Sequence, residues 1–185
     1  MAITDDLKNA FSSAISGVGD VAGTVQNVAK DNVVNLLQGV GDVATAGLGT
    51  IDQVVSEGVK TISGAGASLT DGVTGLVRGV IIGAKDAGVN VTDAAGAAAS
   101  QAVKTASQVG GDVGAVAISS VQGAIQAASD IGEDSGELAK SAVMGTLKAA
   151  DEIGSEAGSL VRKSLLNAAA LPHDIIDAFL TGKTE

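Results

Sequence analysis

The chain has 185 residues, with 21 acidic against 11 basic side chains and a net charge of −10. That balance argues against nucleic acid as a partner, because phosphate binding needs clustered Lys and Arg. It has no cysteine, one proline, 26 glycines and two Phe as its sole aromatics, which excludes disulfides, thiolate metal sites and a thick aromatic core.

Residues 1–12 read as the start of a helix. Thr4 can cap the first turn, Asp5 and Asp6 suit the positive end of the helix dipole, and Leu7 and Phe11 share a face. The acidic opening has no apolar core, so it is not a secretory signal.

From Ser13 to Leu166 the chain repeats every 22 residues. Gly17-Val18-Gly19-Asp20-Val21-Ala22 recurs as Gly39-Val40-Gly41-Asp42-Val43-Ala44. Seven blocks, starting at Ser13, Asn35, Glu57, Gly79, Gln101, Gly123 and Gly145, align without insertion. The third position of each block is aliphatic: Ile15, Leu37, Val59, Ile81, Val103, Ile125 and Leu147. Apolar or small positions follow at spacings of three and four, the spacing of 11 residues in three helical turns. Acidic and basic residues fall on the opposite side, Asp20, Asp42, Asp86 and Asp130 among them. The pattern is an amphipathic helix. A β-solenoid is set aside because stretches such as Ala94-Ala95-Gly96-Ala97-Ala98-Ala99 favour helix.

Seven blocks without an insertion favour a helix that runs on through them, about 225 Å for 150 residues. Its weakest points are Gly47-Leu48-Gly49, Gly64-Ala65-Gly66 and Gly110-Gly111. The alternative is a glycine stop followed by a cap, as in Gly110-Gly111-Asp112. Two glycine columns stand out. One contains Gly66, Gly88, Gly110, Gly132 and Gly154; the other ends in Gly114, Gly136 and Gly158. Small residues four apart let helix backbones approach closely, so these eight are read as a helix–helix seam, within the chain or between copies.

The longest uncharged run near the middle, residues 113–129, is shorter than the 20 or so residues a membrane span requires. A mean hydropathy of +0.36 then implies apolar surface covered by copies of the chain, by a partner or by lipid. Residues 167–185 read as a linker and a short docking helix after Pro172, with Ile175, Ile176, Phe179 and Leu180 facing a partner or membrane. His173 stands alone and is read as opening that helix, not as a metal ligand.

Ser56-Glu57-Gly58-Val59-Lys60-Thr61 and Gly72-Val73-Thr74-Gly75 lie in a stretch, residues 13–166, that resembles the perilipins and exchangeable apolipoproteins. It is similar in kind to phasin-like granule coats and desiccation-linked repeat proteins. The resemblance implies amphipathic helices that coat lipid and carry no catalytic residue.

The expectation is an all-α protein: residues 1–12, seven helical repeats over 13–166, and the 167–185 module. Its long helices would form an elongated bundle, or an oligomeric stalk or tube. Its function would be that of a non-enzymatic, self-associating scaffold, with a lipid-surface coat as the alternative. No catalytic, cofactor or metal-binding residue is identified. Absence of cysteine points to a reducing compartment, the cytoplasm, with a membrane or lipid surface within reach.

Overall fold

From the third block on, the helix within each block stops at a built turn, save at Gly154. The structure, a computed structural model, describes residues 2–16, 19–38, 40–168 and 171–172. The predicted docking residues Ile175, Ile176, Phe179 and Leu180, with His173, lie outside the described residues. The described chain is all-helical: α1 (Ala2–Ile15), α2 (Val21–Leu37), α3 (Val43–Gly64), α4 (Leu69–Ala87), α5 (Val91–Gln108), α6 (Val113–Ile131), α7 (Ser135–Ile153) and α8 (Ser155–Asn167). The continuous helix is thereby corrected. From α4 to α7 the helices start 22 residues apart, one helix plus its connection, whereas α4 starts 26 residues after α3 and α8 starts 20 after α7.

The turns show why no insertion is tolerated. Gly66, Gly88, Gly110 and Gly132 take φ of 70°, 84°, 75° and 72°, a left-handed conformation costly for any residue with a Cβ. The next amide reaches back five residues: Ala67 N to Ile62 O at 3.2 Å, Val89 N to Ala84 O at 2.8 Å, Gly111 N to Ala106 O at 2.8 Å and Glu133 N to Ala128 O at 2.9 Å. This closes each helix with the Schellman pattern. One residue later stand Ser68, Asn90, Asp112 and Asp134, whose side chains accept from amides of the following helix. Stop, glycine and cap occupy consecutive positions, so an added residue would break one of the bonds. In the first blocks the cap comes four positions earlier in the repeat, at Asp20, which accepts from Gly23 N at 2.9 Å. Gly47-Leu48-Gly49, read as a weak point, lies inside α3.

Each helix packs against those one and two places away along the chain, and against no others among the described residues. The odd-numbered helices therefore form one layer, the even-numbered helices a second, and the stack stays open. Val25, Ala29, Val33 and Leu37 on α2, and Ala94, Ala98, Ala102 and Ala106 on α5, are buried in one continuous core. Leu7 and Phe11 bury α1 against it. Buried hydroxyls are satisfied locally, as in Ser120 Oγ donating to Val116 O at 2.8 Å.

The backbone-on-backbone helix contacts use glycines outside the predicted seam. A Cβ on Gly75 or Gly79 of α4 would overlap the Ala22 or Gln26 carbonyl of α2, and one on Gly83 would come within 2.9 Å of Lys30 O. A Cβ on Gly123 of α6 would meet Thr74 O of α4 at 2.6 Å, and one on Gly145 of α7 would overlap Gly96 O of α5. These contacts share one geometry. The carbonyls of Gln26, Thr74 and Gly96 belong to the sixth residue after the caps Asp20, Ser68 and Asn90. Gly79, Gly123 and Gly145 stand eleven residues after the caps Ser68, Asp112 and Asp134. Three helix pairs thus repeat one crossing, backbone on backbone.

Of the predicted seam, Gly66, Gly88, Gly110, Gly132 and Gly154 are turn residues, which corrects that reading. Gly136 donates its amide to Asp134 Oδ1 at 2.8 Å as part of the α7 cap. Gly114 faces Ser164 of α8, and Gly158 lies against the Asp151–Arg162 ion pair. Gly154, at φ 157° and ψ 169°, makes a one-residue link without the left-handed stop, and α8 has no side-chain cap.

Gly79→Ala should destabilise the fold by about 1–3 kcal/mol, because α2 and α4 must move apart. Gly49→Ala, with open space at its Cβ position inside α3, should stabilise it by about 0.5–1 kcal/mol through helix propensity. Urea unfolding midpoints of the two variants against wild type check both signs.

Candidate interaction groove

The repeated crossing fails at two pairs in the odd layer, α1–α3 and α3–α5. Gln101 of α5 stands eleven residues after the Asn90 cap, where α4, α6 and α7 place glycine. Gln53 holds the same place in α3, counted from Asp42 at its start. A glutamine side chain cannot slip under a neighbouring backbone, so hollows open beside these residues. One, of about 750 Å³, lies between α3, α5 and α7. A smaller one of about 210 Å³ adjoins it, bordered by Gln53, Gln101 and Thr4.

The floor of the large groove is backbone. Gly145 packs on Gly96, and Ser141 Oγ donates to Thr92 O at 2.6 Å, tying α7 to α5. The α3 wall contributes Leu48 and Asp52. The α7 wall contributes Lys140, Met144 and Lys148, four residues apart and therefore on one face. Met144 is 55% exposed, the most exposed large apolar side chain described. Its flexible thioether suits a surface that adapts to what it touches.

Lys104 forms an ion pair with Glu152 at 2.9 Å. The hydrogen bond from Lys104, with its charge and that of Lys148, holds the exposed Glu152 carboxyl below its ordinary range. On the opposite wall, burial raises the Asp52 carboxyl above its ordinary value, and the charge of Lys104 offsets part of this. Elsewhere ion pairs clamp helices two apart: Arg78 is bidentate on Asp130, with Nη2 at 2.9 Å from Oδ1, and Lys85 reaches Glu133. Arg162 is bidentate on Asp151, joining α8 to α7.

Chemically, the groove offers apolar contact, exposed cations and three carboxylates, Asp52, Asp93 and Glu137, of which Asp52 pays for burial. Among the described residues no group of three or more His, Cys, Asp or Glu could hold a metal ion. No helix among them is long and apolar enough to cross a membrane. No protein-family model matches the chain, and no curated protein matches it.

The sequence reading passed over this place. Its signal was present in the first block position, where Gln101 breaks a run of Gly79, Gly123 and Gly145. That break has meaning only once glycine at that position is known to carry a helix crossing.

A raised Asp52 pKa means that the folded state keeps the proton after the unfolded chain has released it. Stability is then lost as pH rises through that window and regained as pH falls. Asp52→Asn should raise Tm at pH 7, and the gain should shrink as pH falls to about 4. Thermal melts at the two pH values check this; an equal gain at both would refute the burial argument.

Proposed function

We propose that the chain is a non-enzymatic helical scaffold that folds by itself and binds another protein chain in the α3–α5–α7 groove. The observation that carries this reading is the opening at Gln101, with a backbone floor, an exposed Met144 and lysines at its edge. Stacked helical repeats expose long faces of this kind, and such faces suit binding along their length. An apolar centre rimmed by charge is the ordinary anatomy of a protein interface.

Self-association into a stalk or tube has less behind it than the glycine columns suggested, because those glycines make turns or contact helices of the same chain. A lipid-surface coat requires the apolar stripes to face outward. Their burial within one chain supports the scaffold, and the positive hydropathy then reflects a core of small aliphatic side chains. A cytoplasmic location stays part of the proposal, on the lack of cysteine.

Without lipid, the protein should be a strongly helical monomer that unfolds cooperatively, and vesicles should leave its spectrum unchanged. Circular dichroism with light scattering checks this; a largely unfolded chain that gains helix on vesicles would support the coat instead. Peptides selected from a displayed library on the wild-type protein should lose affinity tenfold or more, about 1.4 kcal/mol, on Met144→Glu. Undiminished binding to that folded variant would place the interaction elsewhere.

A further inference from the structure

Three hollows open along the odd layer, and shared residues join them. The α3–α5–α7 groove and the hollow of about 210 Å³ have Asp52 and Gln101 in common. That hollow and a third of about 500 Å³, between α1 and the end of α3, have Glu57 in common. No residue of an even-numbered helix lines any of the three. Together they make one trench that crosses α7, α5, α3 and α1 in turn, along the two crossings that lack glycine.

Its dimensions suit extended chain. Packed helices stand about 8–10 Å apart, so three steps span about eight residues at roughly 3.3 Å each. One helical turn, about 10 Å across and 5.4 Å long, fills roughly 400 Å³. The middle hollow, at about 210 Å³, is too small for it. Gln53 and Gln101 border that hollow from α3 and α5. A carboxamide carries a donor and an acceptor, the complement of a peptide group. Gln101 Nε2 donates to Thr105 Oγ1 at 3.0 Å, which leaves its oxygen and second N–H for a ligand.

Charge narrows the occupant further. Five of the chain's 11 basic residues line the trench, against four of its 21 acidic residues. Lys8, Lys140 and Lys148 form no salt bridge among the described residues. Asp93 and Glu137 lie in the first turns of α5 and α7, where the helix dipole balances them. Glu57 is paired with Lys60 at 3.5 Å. The charge left unmatched is positive, in a chain that is otherwise strongly acidic.

We infer, on the reading that the groove binds another protein chain, that its partner is an acidic segment of about eight residues, bound in extended form along the whole trench. Gln53 and Gln101 hold its backbone. Its carboxylates face Lys140 and Lys148 at one end and Lys8 at the other.

The probe is a displayed library of random eight-residue peptides with proline fixed at the fifth position, which blocks helix. Peptides selected on the full-length protein should be rich in Asp and Glu. By fluorescence polarisation, synthetic copies should lose affinity about tenfold on Gln53→Ala and about fivefold on Lys8→Glu. Both side chains are exposed, and circular dichroism checks that each variant keeps its helices. If either variant loses them, salt decides: affinity for the wild-type protein should fall steeply between about 50 and 500 mM NaCl, and a flat response would overturn the inference. Selected peptides without an acidic excess would also overturn it. Loss of binding on Met144→Glu, with none on Lys8→Glu or Gln53→Ala, would overturn the extended course and leave the groove standing. Binding untouched by Met144→Glu would overturn both. Failure to enrich any peptide would overturn the inference alone, provided that binders from a helix-forming library are lost on Met144→Glu.

Discussion

The whole stack depends on how closely two helix backbones can approach when no side chain stands between them. At Gly79, Gly123 and Gly145 the neighbouring carbonyl occupies the space a Cβ would need. Helix-forming propensity is given up there, at about 1 kcal/mol for each interior glycine. Dispersion between tightly apposed backbones and weak Cα–H···O contacts offset that loss. The sequence has almost no aromatic residues because helices this close leave little room for them. Alanine and valine fill the spaces that remain.

A fixed crossing imposes a fixed connection. Each helix is held by neighbours one and two places away, so its phase and its start are set by contacts on several sides. The turn must then deliver the chain at one position, which the Schellman amide, the left-handed glycine and the capping side chain do together. That accounts for the unbroken 22-residue beat. The ion pairs Arg78–Asp130, Lys85–Glu133 and Lys104–Glu152 repeat the same two-apart linkage at the surface. They are half-exposed and add specificity of register more than stability.

The groove is the exception to that rule. Where Gln101 replaces glycine, the backbone seam between α3 and α5 is missing, and the surface opens over a floor that the α5–α7 seam still holds. An open groove is thereby made by withholding one close contact in a series, with the neighbouring contacts holding its floor.

Helix as the local conformation and the amphipathic stripe were legible in the residues. They follow from short-range physics: alanine content, the three-and-four spacing of apolar positions and the copied hexapeptides. The role of each glycine was not. Gly110 and Gly145 recur with equal regularity, yet one takes a positive φ in a turn and the other sits in a helix under a carbonyl. Periodicity cannot separate these uses, because a turn repeated every block and a contact repeated every block leave the same trace in the sequence. Only the tertiary arrangement decided between them, since it alone sets which backbone lies across which helix. With that settled, Gln101 became recognisable as the place where the stack opens.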